Sequence, residues 1–381
     1  MKKSGKNDLP IMSTGKGKTV LFHPYIPKKA IQYVNDTLKS RWIGEGPKVK
    51  IFEKKFKKFF NIKGECIAVG SGTDALHLAY ILAGIKKGDE VLAPLFTCTA
   101  TNIPLLYIGA KIKFIDIDPK TLNISIADLK KKISKKTKAI VCVHYAGIPC
   151  DMDEIKTIAK KYNVKVIEDA AHALGSQYNK KYIGNLSDFT IFSFQSIKQL
   201  TTSDGGMLIF KDKSQEKLAK RLRWFGIDRE KKQNGIWEND IKEVGFKYQM
   251  TDIAASLGLA GLEEYRFTSN FRKKLFNQYI KNLKNYKKVT ILNDFNSKKN
   301  ISPWLFTIAV NNRKRLEKKL RRFGIESGQT HYRNDTYKIF KCRDKFKNMD
   351  LIDDKYLVLP LHNKVSIKEV NKICKIIKSG W

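Results

Sequence analysis

From residue 64 onward, short β-branched runs alternate with helical stretches, and few architectures accommodate that rhythm. "ECIAVGSG" precedes "TDALHLAYILAGI", and "EVLAPLF" precedes "TATNIPLLYIG". "KIKFIDID", "SIADLKKKI", "KAIVCVHY", "DMDEIKTIAKKYN" and "VKVIEDAA" then continue the alternation of strand and helix. A helix between two strands carries the chain back across the sheet, so the strands run parallel. The expected fold class is α/β, a mainly parallel sheet with helices on both faces, and the functional loops should gather at the carboxyl ends of its strands. After "MTDIAASLGLAGLEEYRF" (250–267) the pattern gives way to charged helix and three strand-like runs, "VTIL", "WLFTIAV" and "YLVLPL". This divides the chain into an N-terminal tail (1–20), a large domain (21–264) and a smaller C-terminal α/β domain (265–381). There is no internal repeat.

With 381 residues the chain can bury a large core. No apolar run approaches the roughly eighteen residues that cross a bilayer. The start, "MKKSGKNDLPIMSTGKGKTV", is basic without the apolar segment of a signal peptide, so a cytoplasmic protein is expected. The cysteines, Cys66, Cys98, Cys142, Cys150, Cys342 and Cys374, are scattered, which suggests neither a disulfide framework nor a metal site. The formal charge is +37. Basic chains often bind nucleic acid. Here, however, lysines are spread along the whole length, and arginine, the better ligand for bases and phosphates, numbers only 12. A lysine-rich surface is the expectation, with no specific nucleic-acid partner and no membrane, and its field would draw anionic small molecules.

One lysine stands apart. In "SFQSIKQLTTSDGGMLIF" (193–210) a strand-like run ends at Lys198, and hydroxyls, an acid and a glycine pair follow before the next strand. Earlier, "VGSGTDALHLAY" (69–80) ends a strand in Gly70, Ser71 and Gly72 and opens a helix at Thr73–Asp74. Glycines admit an oxyanion close to the backbone, and a helix start offers free N–H groups to a phosphate, although Thr73 or Asp74 could equally be a plain cap. "VKVIEDAAHALGS" (164–176) ends a strand in Glu168–Asp169, with His172 three residues on. An acid there points into the crevice or caps the next segment, and a lone histidine is commonly a satisfied core residue. In "FTIFSFQSIK" (189–198), Ser193 lies just beyond the strand. A phosphate cradle, a strand-end carboxylate and a lysine 29 residues later are together what pyridoxal phosphate needs: a Schiff-base lysine, an acid for its pyridine nitrogen and an anion site.

The same stretches carry a resemblance. "SRWIGEGPKVKIFEKKF" (40–56), "GSGTDALHLA", "GDEVLAPLFTCTATN", "CVHYAGIPCDMDEI", "VIEDAAHALGS", "SFQSIKQLTTSDGGM", "GFKYQMTDIAASLGLAGLE", "HYRNDTYKIF" (331–340) and "LVLPLHNKVSIKEV" occur in an order and register that resemble the DegT/DnrJ/EryC1/StrS family of pyridoxal-phosphate-dependent nucleotide-sugar aminotransferases. The resemblance implies the type I fold of PLP-dependent transferases, with the large domain holding the cofactor. It assigns Lys198 to the Schiff base and to proton transfer, and Asp169 to the pyridine nitrogen. His172 falls near the ring's phenolic oxygen. Gly72, Thr73, Asp74 and Ser193 are assigned to the phosphate. Lys247 stands where the family often has an asparagine reaching the phosphate from the partner subunit. Cys98 stands where many members place an aromatic that stacks on the ring. His331 and Arg333 are implied on the substrate side.

By the same resemblance the amino donor is L-glutamate and the acceptor a nucleotide-diphosphate keto sugar. A 4-keto-6-deoxy hexose on UDP, GDP or dTDP leads, and a 3-keto sugar is the alternative. The working form is implied to be a homodimer with shared active sites. A family branch of dehydratases replaces the lysine with histidine, so Lys198 favours transamination. A non-catalytic regulatory or nucleic-acid-binding protein on the same scaffold is the reading from another class.

Overall fold

The computed structural model describes residues 18–237, 240–293 and 296–381. Helices α1 (Lys28–Leu38) and α2 (Pro47–Phe59) lead into the first strand, β1 (Glu65–Val69), and α3 (Gly72–Leu82) follows it. The alternation continues through β2 (Glu90–Pro94), α4 (Thr99–Ile108), β3 (Lys111–Ile115), α5 (Ile126–Lys132), β4 (Thr137–Val143), α6 (Met152–Tyr162) and β5 (Lys165–Asp169). A small hairpin, β6 (Gln177–Tyr178) and β7 (Lys181–Tyr182), precedes β8 (Phe189–Ser193) and β9 (Gly206–Phe210). Two short helices, α7 (Glu216–Arg223) and α8 (Arg229–Gln233), come before the 32-residue α9 (Asp252–Leu283). The remainder is β10 (Thr290–Ile291), β11 (Lys299–Asn300), β12 (Phe306–Ala309), α10 (Arg313–Arg322), α11 (Lys347–Ile352), β13 (Tyr356–Leu359) and α12 (Ile367–Lys378).

Seven strands form the main sheet in the order β1-β9-β8-β5-β4-β2-β3. Only β9 runs antiparallel to its neighbours, as expected for a mainly parallel sheet. Residues alternate between two cores because successive side chains point to opposite faces. Ile140 and Cys142 join Phe52 and Phe56 of α2, Ile155 of α6 and Leu259 of α9. Val141, Ile167 and Ile191 join Ala75 and Leu78 of α3 and Leu222 of α7. Helices therefore cover both faces, and the strand ends are left for loops.

The smaller unit is an antiparallel sheet, β10-β12-β13, packed on the second half of α9, α10 and α12 through Leu275, Leu316, Leu320, Ile373 and Ile377. A separate apolar cluster joins the units: Phe96 and Tyr145 pack with Leu305, Tyr356 and Val358. The expected boundary at 264/265 falls inside α9, which runs unbroken through both units. Of the expected tail, residues 1–17 lie outside the described residues. Thr19 is bound to the small unit, pairing with Ile325 and donating its N–H to the Gly324 carbonyl (2.8 Å).

Thr251 caps α9 by accepting from the Ala254 N–H. Its neighbour Asp252 does something else. Its buried carboxylate accepts from the backbone N–H groups of Gly46, Lys48 and Val49 at 2.9–3.1 Å, closing the start of α2 from more than 200 residues away. Among the described residues no helix is long and apolar enough to cross a membrane.

Candidate active site

The carboxyl ends of β1, β2, β4, β5 and β8 open into one cavity of about 1030 Å³. Its floor includes Gly72, Cys98, Asp169, Ser193 and Lys198, and its outer wall comes from Lys18, Leu21, Phe22, Trp304 and residues 324–332 of the small unit. Strand-end crevices are where open α/β sheets bind ligands, because the loops there are free of the sheet's hydrogen-bond ladder.

Asp169 ends β5 and is 4% exposed. Its Oδ2 accepts from the Thr101 hydroxyl (2.7 Å), and its Oδ1 accepts from the Ala171 N–H (3.0 Å). Burial pushes the carboxyl's pKa up, and these two donors with the Lys198 charge pull against it. Glu168, one residue earlier, points to the opposite face. There it is bound by His144 (2.8 Å), Ser187 and Thr190, so it contributes to the fold behind the site and stays out of the cavity.

Lys198 sits on the loop after β8. Among the described residues it forms no ion pair; Nζ lies 3.7 Å from the centroid of the Trp304 ring. Burial lowers the amine from its ordinary 10.5 to about 8, although the Asp169 carboxylate works the other way. The Trp304 indole N–H donates to the Ile197 carbonyl (2.8 Å), and the Gln199 amide donates to the His172 carbonyl (2.6 Å). The lysine's neighbours on both sides are thus anchored.

His172 packs against two rings, Trp304 over its face and His331 beside it. The Trp304 centroid is 4.0 Å away and the His331 centroid 5.0 Å, the latter nearly coplanar at 3°. The two imidazoles face each other, Nε2 to Nε2, at 3.2 Å, so one nitrogen donates and the other accepts. Burial holds His172 well below 6.5 and His331 at about 3, and the Lys198 charge adds to both, so both rings stay neutral. His172 Nδ1 is buried and has no hydrogen-bond partner among the described residues.

At the start of α3, Ser71 is the cap. Its Oγ accepts from the Asp74 N–H (3.0 Å), leaving the first-turn N–H groups of Gly72 and Thr73 available to an anion. Ser193 abuts this turn: a Cβ on Gly72 would sit 2.9 Å from the Ser193 Cβ. Gly206, which opens β9, has a similar cause, since a Cβ there would strike the Ser71 carbonyl.

The structure therefore brings together Lys198, Asp169, His172, Gly72, Thr73, Ser193 and His331. Three expected residues lie apart. The Asp74 N–H is taken by the cap and the residue does not line the cavity; burial pushes its carboxyl up to about 6. Lys247 is exposed, with Nζ 3.9 Å from the Trp224 ring centroid, away from the cavity of its own chain. Arg333 bonds Asp335 (2.7 and 2.9 Å) and Asp350 (2.5 Å), and its guanidinium is held outside the cavity. Thr101 and Trp304 went unassigned in the sequence. The aromatic surface of the cavity comes from Trp304, Phe22, Tyr332 and the two imidazoles, with a thiol at position 98.

These residues fit pyridoxal phosphate. A buried carboxylate, a half-buried amine with lowered pKa and an unfilled helix start beside a serine line one space. Comparison with known proteins agrees. The profile of the DegT/DnrJ/EryC1/StrS aminotransferase family matches residues 24–378. GDP-perosamine synthase of Escherichia coli O157:H7 is 38% identical over 69% of this chain and 71% of its own. The UDP-4-amino-4,6-dideoxy-N-acetyl-beta-L-altrosamine transaminase of Campylobacter jejuni is 33% identical over 94% and 98%. Among solved structures, Spr1654 of Streptococcus pneumoniae in its PLP form superposes with a TM-score of 0.88 at 28% identity, covering 95% of this chain and 98% of that one. The chain belongs to the DegT/DnrJ/EryC1/StrS aminotransferase family, and it is a pyridoxal-phosphate-dependent aminotransferase with the type I fold.

Proposed function

We propose that the protein moves an amino group from L-glutamate onto a nucleotide-linked keto sugar, a 4-keto-6-deoxy hexose ahead of a 3-keto sugar. The observation that carries the reading is the Lys198 amine and the Asp169 carboxylate on one cavity floor, below a helix start with open N–H groups. Pyridoxal phosphate, when bound, supplies the electron-withdrawing ring that lets an amino group leave one carbon and join another. Lys198 would hold it, and Lys198 Nζ is the base that takes a proton and returns it; with its pKa near 8 a useful fraction is neutral at working pH. Asp169 would face the pyridine nitrogen, where a carboxylate fixed by Thr101 and Ala171 favours a retained proton. Gly72, Thr73 and Ser193 would take the phosphate. Leu76 and Ile191 line the same space and help to exclude water.

The acceptor rests on the relatives, two of which are named for nucleotide-linked sugars, one of them with its amino group at carbon 4. A homodimer with shared active sites is supported by the surface around Lys247, where Phe225, Trp237, Ile241 and Val244 are all exposed. Six free thiols suit a reducing compartment and support the cytoplasm as its place. The test is direct. Loaded protein is given L-glutamate with UDP-, GDP- or dTDP-linked keto hexoses, and products are read by mass spectrometry. An aminated sugar on one nucleotide is expected. Turnover of glutamate with a simple 2-keto acid, and no sugar aminated, would reject the acceptor.

A further inference from the structure

Arginine is scarce in this chain, yet four of its 12 arginines, Arg313, Arg315, Arg321 and Arg322, lie within the ten residues of α10. Lys314, Lys318 and Lys319 accompany them, and Glu317 is the one acid. Leu316 and Leu320 are buried in the small unit's core, which turns the charged faces outward. Glu317 holds Arg313 at 2.8 Å and lies 3.9 Å from Arg321. Lys314, Lys318 and Arg322 form no ion pair among the described residues. Like charges four positions apart weaken a helix, so 314/318 and 318/322 do nothing for the fold itself.

Position supplies a reason. Lys314, Lys318 and Arg321 stand at i, i+4 and i+7, on one face of the helix. They border a groove of about 690 Å³. Glu317, Arg321, Gln329 and Tyr332 line both this groove and the cavity, forming a shared rim. A pocket of roughly 300–1,000 Å³ takes one drug-sized molecule, so cofactor and hexose together largely fill the cavity. A nucleoside diphosphate attached to that hexose has to continue outward, and the groove is where the shared rim leads.

We propose that the stripe Lys314–Lys318–Arg321 of α10 binds the diphosphate of the nucleotide sugar, a subsite that rests on the acceptor reading above. Arg321 at the rim offers a planar fork of donors to phosphate oxygens, and the two lysines add point charges along the groove. The stripe reads phosphate charge and leaves recognition of the base to other groups.

Calorimetric titration of the cofactor-loaded protein with UDP, GDP and dTDP at low salt tests it. Lys318→Gln combined with Arg321→Gln should weaken binding about tenfold and flatten its salt dependence, since exposed contacts each contribute modestly. Lys375→Gln, an exposed lysine on α12, should bind as the wild type does. Cofactor loading and the thermal midpoint report that the double variant is folded. If it binds the diphosphate as tightly as the wild type, the subsite is wrong while the acceptor reading stands. If wild type binds none of the three, the nucleotide-sugar reading falls and the subsite with it. Duplex DNA held by the stripe in place of any diphosphate would also overturn the proposal.

Discussion

At the floor of the cavity, Asp169 and His172 come from the end of β5, Thr101 from α4 and Lys198 from the loop after β8, and each is fixed by hydrogen bonds or rings. At the mouth, Lys314, Lys318 and Arg321 come from one helix, stand in solvent and carry little besides Glu317. The floor gains its chemistry from burial, which moves the Lys198 pKa from 10.5 to about 8 and keeps two imidazoles neutral. The mouth offers exposed side chains and reach. A rigid floor suits a reaction that needs fixed geometry, whereas an exposed cationic rim suits attraction of an anion whose details can vary.

The contrast can be broken most sharply at the floor. Lys198→Ala should lower amino transfer by at least about 10³-fold, because on the proposed function it removes both the attachment point and the base. A smaller loss would mean that another amine serves. Asp169→Asn should lower the rate by about 10²-fold, as expected for a fixed charge in a buried site. It should also move the pH midpoint of Lys198 below about 8, since the carboxylate is what holds that value up. The readout is the rate at which the cofactor-free protein captures pyridoxal phosphate. Below its midpoint Nζ is an ammonium without a lone pair; above it the amine is neutral and attacks. The rate should thus rise through about 8 in wild type and show no separate step near 6.5, because His172 and His331 do not titrate there.

Away from both regions, Asp252→Ala should cost about 2 kcal/mol of stability in denaturant melts, through the loss of a buried charged cap on α2. A change below a few tenths would show that water replaces it. The smallest effect is expected at Arg333→Ala, within about twofold in diphosphate affinity, since its guanidinium is occupied by Asp335 and Asp350. A tenfold loss there would extend the mouth beyond α10.

Much of the floor was legible in the sequence because its parts sit at fixed offsets within single motifs. Asp169 and His172 share one strand end, and Lys198 closes the loop after another. The Thr101 bond to Asp169 spans 68 positions and the Trp304 contact with Lys198 spans more than 100, so no local pattern announces either. The resemblance implies Arg333 on the substrate side; its guanidinium is bound by Asp335 and by Asp350, 17 residues on, a pairing that no local motif announces. The Asp252 bond to Gly46 spans 206 positions and is equally beyond any local pattern. The cluster in α10 was hidden by the chain-wide lysine bias until Leu316 and Leu320 gave the helix an orientation.

The most direct test of the central claim, that the floor performs amino transfer through Lys198, is absorption spectroscopy of the cofactor-loaded protein during addition of L-glutamate, with Lys198→Ala in parallel. The account predicts that the wild-type cofactor band converts to that of the aminated cofactor and that the variant does not turn over. A loaded wild type that ignores glutamate, or a variant that converts as fast, would contradict it.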